Sequence, residues 1–271
     1  MITVSLCMIV KNEEEVMARC LESVADLVEE IVIMDTGSTD STKAIAGRYT
    51  GNVYDFQWID DFSAARNAAF EKATMDYILW LDADDVLEEK DRKKFAALKE
   101  SLDPSVDSVT MEYHLAFDEY GNVTFRLRRN RLVKRMNRFR WIGAVHEYLE
   151  VWGKVCHSDI AVAHKSLHHD SDRNLKIYES RLARGEEFSP RDTYYYANEL
   201  FDHRQYQKAA FFYEKFLFGG KGWVEDNISA CGKLADCRHN LDDAEGEADA
   251  ILRSFRYGSP RAEFCCRLGY H

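Results

Sequence analysis

Tyr77-Ile-Leu-Trp-Leu-Asp-Ala-Asp-Asp85 decides the fold, because it is a short apolar run that ends abruptly in three carboxylates. Such a run is what a buried parallel strand looks like when it delivers a polar site to its C-terminal edge. Asp82 and Asp84 lie two residues apart, so on an extended chain their side chains point the same way. Hard oxygen ligands of this kind select Mg²⁺ or Mn²⁺, ions that usually complete their shell with phosphate oxygens, which suggests a nucleotide diphosphate partner. The plain alternative is that Asp82, Asp84 and Asp85 cap a helix starting near Glu88, since acidic residues are common before helices. These nine residues alone leave both readings open.

The pattern recurs upstream. Val4 to Val10 is a near-continuous apolar run followed by Lys11-Asn12-Glu13-Glu14-Glu15, after which Val16, Met17, Cys20, Leu21 and Val24 recur at helical spacing. Asn12 is expected to cap that helix, with Glu15 reaching back as in a capping box. Ile31 to Met34 reads as a second strand, Asp35 to Asp40 as a polar turn, and a helix follows to about Tyr49. Asn52 to Trp58 gives a third strand, Asp60-Asp61-Phe62-Ser63 a cap, and Ala64 to Ala73 an Ala-rich helix carrying Arg66 and Asn67. Alternating strands and helices predict an α/β fold, and right-handed crossovers place every strand-to-helix turn on one edge of a parallel sheet. The carboxylates of Glu13, Asp35 to Asp40, Asp60/Asp61 and Asp82 to Asp85 are then neighbours. Crowded like charges repel unless a cation or ligand donors sit among them, which favours a metal-nucleotide site over capping.

Composition narrows the classes. The 271 residues are 46% hydrophobic, enough for one substantial core and a small second one. No apolar run approaches the ~20 residues that cross a bilayer, and Ile2 to Val10 lacks the basic flank and cleavage site of a signal peptide. A cytoplasmic protein is expected, with its seven cysteines reduced and packed as small apolar residues. The net charge of −11 makes nucleic acid an unlikely partner. One exception is Arg126 to Arg140, with eight Lys or Arg in fifteen residues; it is either the solvated face of a hairpin or a positive wall facing an anionic substrate.

Val4-Ser-Leu-Cys-Met-Ile-Val-Lys-Asn-Glu-Glu14, Ile31-Val-Ile-Met-Asp-Thr-Gly-Ser-Thr-Asp40, Phe62-Ser-Ala-Ala-Arg-Asn67 and Leu81-Asp-Ala-Asp-Asp85 together resemble the successive motifs of family 2 glycosyltransferases. The branch resembled joins the catalytic domain to tetratricopeptide-like repeats and includes bacteriocin S-glycosyltransferases. The resemblance covers roughly residues 1–170 and implies the GT-A fold, a Rossmann-like, mostly parallel sheet with flanking helices, and a UDP-sugar donor with Mn²⁺ or Mg²⁺. It places Asp35 and Glu13 near the base and ribose, Arg66 close to the donor, and Val10, Asn12, Gly37, Asp60 and Ala83 along the same edge. Asp82 and Asp84 become the DxD pair on metal and diphosphate, and His164 a late metal ligand. Asp85 departs from the branch, which more often has Glu there, with little expected consequence for the metal.

Val106 to Phe117 and Val123 to Val133 read as strands joined at Tyr120-Gly121-Asn122. Phe139-Arg-Trp-Ile-Gly-Ala-Val-His-Glu147 follows and resembles the family's second block, across the cleft from the aspartates. Inverting transfer needs a proton acceptor there, either Glu147 or His146. Glu147 is preferred, because a carboxylate beside an acidic cleft becomes a better base while the imidazole orients it. His168 and His169 read as exposed helix residues without a role.

From about residue 171 the chain turns helical, and Ala197-Asn-Glu-Leu200, Cys231-Gly-Lys-Leu234 and Cys265-Cys-Arg-Leu268 recur every 34 residues. The region 171–271 thus looks like tetratricopeptide repeats, with Tyr194, Tyr195, Tyr196, Tyr206, Phe211, Phe212, Phe216 and Phe218 packing between helices. The last residues fall inside what should be the first helix of another repeat, which suggests a longer natural protein. The leading function is a metal-dependent inverting hexosyltransferase acting on a peptide, protein or glycan acceptor, possible self-association running through the repeats. A nucleotidyltransferase and a repeat scaffold with a degenerate catalytic domain are the alternatives, although no Gly-rich phosphate loop supports the former.

Overall fold

The computed structural model describes residues 1–167 and 172–270, so His168, His169 and the expected boundary at 170/171 lie outside the described residues. The chain divides into two compact units, Met1–His169 and Asp170–His271.

The first unit is built on an eight-stranded mixed sheet of order β3-β2-β1-β4-β7-β6-β10-β5. β1 (Val4–Val10), β2 (Glu30–Asp35), β3 (Val53–Asp55) and β4 (Tyr77–Trp80) run parallel. α1 (Met17–Glu22), α2 (Thr42–Ala46) and α3 (Phe62–Lys72) connect them. β1 and β4 are apolar on both faces because helices cover both sides, which is why they read as unbroken hydrophobic runs. β5 (Asp85–Val86) and α4 (Glu89–Ser101) follow β4. The long hairpin of β6 (Ser108–Phe117) and β7 (Val123–Lys134) then adds antiparallel pairing. β8 (Arg140–Ile142) and β9 (Tyr148–Glu150) form a separate two-stranded sheet, and β10 (Val155–His164) returns to pair β6 and β5.

Local expectations fared unevenly. Asp61 caps α3, its carboxylate accepting from the Ala64 N–H at 2.9 Å. At the hairpin end Asp118 accepts from the N–H groups of Tyr120 and Asn122, with Gly121 at φ 81°. Asn12 caps nothing: it sits in the left-handed region at φ 55°, takes the Thr39 N–H at 2.8 Å, and leaves Val16 before α1 without a side-chain cap. The bond to the second turn is the stronger local option, since it ties two loops of one sheet edge. β3 is only three residues long. Nor do the three aspartates cap α4, whose preceding residue is Glu88. In the basic stretch Arg126 and Arg128 pair with Glu112 on an exposed face, whereas Arg131 is fully buried.

The second unit holds α5 (Arg173–Ala183), α6 (Pro190–Asp202), α7 (Tyr206–Gly219), α8 (Val224–Asn240), α9 (Ala244–Ser254) and α10 (Ala262–Leu268). α6 packs on α7 and α8 on α9, and the 34-residue period places Ala197 and Cys231, both fully buried, at the eighth residue of α6 and of α8, whereas Cys265 is the fourth residue of α10 and exposed. Tyr194, Tyr196, Tyr213 and Phe216 are buried, but Phe211 and Phe218 are 60% and 89% exposed, against the expectation that they pack between helices. Cys7, Cys20, Cys231 and Cys237 are buried thiols, while Cys265 and Cys266 are exposed. No helix among the described residues is long and apolar enough to cross a membrane.

Candidate active site

β4 ends at Trp80, and the turn that follows distributes its three aspartates to different partners. Asp82 points to Arg66 of α3, Oδ1 to Nη2 at 2.7 Å. Asp85 is wholly buried and takes two donors on Oδ2, the Asp82 N–H at 3.0 Å and Nη1 of Arg131 at 2.9 Å. Both guanidiniums lie over the Trp80 ring, at 5.2 Å for Arg66 and 3.9 Å for Arg131, and Tyr113 also faces Arg131 at 4.3 Å. Burial works to raise the pKa of Asp82, but Arg66 and Arg131 hold it below the usual carboxylate value. Asp84 has neither arginine.

Asp84 meets His164 instead. Antiparallel pairing of β5 with β10 sets Asp85 opposite His164, which puts Nδ1 3.3 Å from Asp84 Oδ1 and 3.7 Å from Asp85 Oδ1. Asp84, Asp85 and His164 each bring a ligand atom within 4.8 Å of the others. The set of two carboxylates and an imidazole suits Mn²⁺ or Mg²⁺, and Asp85 Oδ1, buried without a hydrogen-bond partner, is the orphaned oxygen such a cation would satisfy. The structure thus groups Asp84 and His164 as expected, adds Asp85, and leaves Asp82 outside the cluster on Arg66. The neighbouring carboxylates of Asp84 and Asp85 push the His164 pKa up to about 10, against its burial. Beneath the turn Cys20 is locked as a thiol by burial and by Asp85, Asp82 and Asp84.

The opposite part of the same edge holds the residues expected around the nucleotide. Asp35, 1% exposed at the end of β2, accepts from the N–H groups of Gly37 and Ser38 on Oδ1, both at 2.9 Å. Its Oδ2 is buried with no partner, a vacancy for a donor. Gly37 has φ 106°, which favours glycine in this loop. Asn12 and Glu13 are knit to the second turn through backbone, Asn12 N to Ser38 Oγ at 2.9 Å and Glu13 N to Thr42 Oγ1 at 2.7 Å. The Val10 carbonyl accepts from Thr36, and Ala83 is buried in the core. Asp60, at φ 61°, receives Trp58 Nε1 at 3.0 Å.

The segment before β9 carries the acid-base pair. Glu147 Oε1 lies 2.7 Å from Arg66 Nε, so one guanidinium joins Glu147 to Asp82. The nearest charge identified at Glu147 is therefore a cation, not the carboxylates that made it attractive as a base in the sequence. His146 stands beside it at φ 51°. Sequence reasoning assigned no role to Arg131 or Asn67, of which only Asn67 carried a signal, its place in the Phe62 to Asn67 motif; Asp85 was expected to matter little for the metal, yet it stands in the cluster with Asp84 and His164.

Residues 5–150, more than half of the chain, match the model of glycosyl transferase family 2. The chain belongs to that family. Among curated members, the SPbeta prophage-derived glycosyltransferase SunS of Bacillus subtilis is 29% identical over 213 residues, covering 73% of this chain and 49% of SunS. A TPR repeat-containing protein of Synechococcus elongatus is 54% identical over 87 residues, 32% of this chain and 22% of that protein. The chain thus spans at most about half the length of these two relatives. Among solved structures, S. aureus TarS 1-349 in complex with UDP covers 94% of this chain and 91% of TarS, with 14% identity and a TM-score of 0.48, too coarse a likeness to bear on the site.

Proposed function

We propose that this family 2 glycosyltransferase chain carries a metal-dependent, inverting site that moves a hexose from a UDP-sugar to a peptide, protein or glycan acceptor. The observation that carries the reading is the division of the cleft: Asp84, Asp85 and His164 cluster on one side, and Glu147 stands on the far end of the Arg66 bridge. Mn²⁺ or Mg²⁺ held by Asp84, Asp85 and His164 would supply Lewis-acid stabilisation of the departing diphosphate. Asp35 Oδ2 supports uridine, whose ring imide offers the N–H that this buried oxygen lacks. Glu147 accepts the proton of the acceptor nucleophile as that atom bonds to the anomeric carbon, and the bond from that carbon to the diphosphate oxygen breaks with its electron pair leaving on UDP. We read the helical unit as tetratricopeptide-like, a kind of surface that permits self-association, and the buried free thiols as fitting a cytoplasmic setting.

The test offers UDP-glucose, UDP-galactose and UDP-N-acetylglucosamine with Mn²⁺ and measures UDP and hexose 1-phosphate separately. UDP release that stops with EDTA is expected, and Glu147→Gln should slow it by roughly 10² to 10⁴ with UDP affinity nearly unchanged, the usual contribution of a general base. Release of hexose 1-phosphate in place of UDP would mean uridylyl transfer, and a fully active Glu147→Gln protein would remove the base assignment.

A further inference from the structure

The motif Phe62 to Asn67 does more in this fold than approach a donor. α3 touches the segment that carries Glu147 at three points, all within its first six residues. The Phe62 N–H donates to the Ala144 carbonyl at 2.9 Å. Asn67 makes a two-bond bridge to the backbone of Trp141 in β8, Nδ2 donating to its carbonyl at 3.0 Å and Oδ1 accepting its N–H at 2.9 Å. Arg66 holds the Glu147 carboxylate through Nε and Asp82 through Nη2, both at 2.7 Å, with its carbon 4.8 Å from the Trp141 ring centroid.

The segment needs such support. Between β8 and β9 the backbone takes positive φ twice, at Gly143 (98°) and at His146 (51°), immediately before Glu147. A non-glycine residue there is held against its own preference by its surroundings. β8 and β9 are three residues each and belong to a sheet of two strands, so they form a weak frame by themselves. Arg66 is only 11% exposed in its side chain, and Glu147 13%. In that setting a planar guanidinium with two fixed N–H directions fixes the carboxylate's orientation, which a flexible ammonium cannot do as well.

We propose that Arg66 and Asn67 are positioning residues for Glu147: Asn67 fixes the backbone leading into the loop, and Arg66 holds the carboxylate in register with Asp82 at the donor edge. This rests on the assignment of Glu147 as the base. The guanidinium spans the two halves of the site, so the distance from proton acceptor to donor edge is set by one side chain whose helix also anchors the loop. Neither residue is asked to touch the transferred sugar or to move a proton.

The experiment measures UDP release by transfer to water, with Mn²⁺ and whichever of the three UDP-sugars the wild-type protein consumes fastest, alongside calorimetric binding of UDP. Arg66→Lys keeps the charge but loses the fork, and should lower kcat by about tenfold with UDP affinity within about threefold of wild type; Arg66→Ala should lower kcat by about a hundredfold. Asn67→Ala should lower kcat in the same way. In a Glu147→Gln background, Arg66→Lys should have no further effect, because a residue acting through Glu147 has nothing left to position. Losses that multiply in the double variant, or a drop in UDP affinity matching the loss in kcat/KM, would overturn the proposal and make Arg66 a donor contact. Should Arg66→Ala fail to fold, Arg66→Lys and Asn67→Ala carry the same comparison. Wild-type rates in Glu147→Gln would instead dispose of the base itself, and with it any positioning role.

Discussion

Arg131→Met is the perturbation whose cost the structure bounds most tightly. Arg131 and Asp85 are both fully buried and 2.9 Å apart. On the favourable side Arg131 has that ion pair, a bond to the Trp80 carbonyl at 3.2 Å, and two aromatic faces at 3.9 and 4.3 Å. Against it stand Nε and Nη2, buried with no hydrogen-bond partner, at about 1 to 3 kcal/mol each. The pair is therefore close to neutral as a whole, although removing one member strands the other, which costs about 3–5 kcal/mol. A stranded carboxylate has the escape of taking a proton, which at pH 7 costs about 1.36 kcal/mol for each of roughly three pH units above an ordinary aspartate pKa, about 4 kcal/mol. Both routes give the same size for Arg131→Met. For a unit of this length that is a fall in midpoint of roughly 6–20 °C. Arg131→Met with Asp85→Asn should recover to within about 1 kcal/mol of wild type, since Met packs between the rings and Asn keeps an acceptor for the Asp82 N–H, while the activity stays lost with the Asp85 carboxylate. Urea unfolding followed by tryptophan fluorescence reads this, because Trp58, Trp80, Trp141 and Trp152 all lie in the first unit. A loss under about 1 kcal/mol in the single variant, or a double variant no more stable than the single, would refute the reasoning.

Three further outcomes are expected. Asp84→Asn should abolish Mn²⁺-dependent UDP binding with the melting point within a few degrees of wild type, checked by calorimetry and thermal melts; unchanged turnover would remove Asp84 from the metal. Asp35→Ala should weaken UDP binding by about 1 to 3 kcal/mol, the usual cost of a lost charge-assisted partner, and tighter binding of GDP than UDP would place the donor in another class. In EDTA the folded-state pKa of His164, about 10, stands above its ordinary 6.5. Its stabilising contribution is then complete below about pH 6.5 and lost as pH rises through 10, so melts of wild type and His164→Gln should converge at high pH; a gap that widens with pH would contradict the pairing with Asp84.

Much of this fold is legible because its signals are local. β1, β2 and β4 announce themselves by runs buried on both faces, and Asp61 announces α3 by its place before an Ala-rich segment. The capping box at Asn12 failed for the same reason that local reasoning works elsewhere: the competing partner, Thr39, is 27 residues away on another turn and invisible to a window. The metal cluster failed in the same manner. Two-residue spacing aims Asp82 and Asp84 the same way only on an extended chain; here they lie in the turn after β4, Asp82 on Arg66 and Asp84 beside His164, and which of them faces His164 depends on β5 pairing with β10, across some 80 residues. Arg131 sits in a stretch whose composition reads as a solvated face, yet strand alternation puts it, three residues on from Arg128, on the opposite face of β7 from Arg126 and Arg128, where Trp80 and Tyr113 cover it.

The division of the three aspartates follows from charge. Three carboxylates within four residues cannot all remain ionised in a partly buried turn unless cations compensate them. Arg66, shared between Asp82 and Glu147, Arg131 on Asp85 and the His164 imidazolium beside Asp84 set three cations against four carboxylates, so the metal-free cluster carries one net negative charge. Exchanging the imidazolium proton for a divalent cation brings the cluster to neutrality. A negative cluster repels an anionic ligand, whereas the neutral one, with its divalent charge concentrated at the end of β4, admits a diphosphate. On this reasoning UDP binds weakly without Mn²⁺ because the edge is negative, not because it lacks shape, and raising ionic strength should weaken the metal-dependent part of the affinity most.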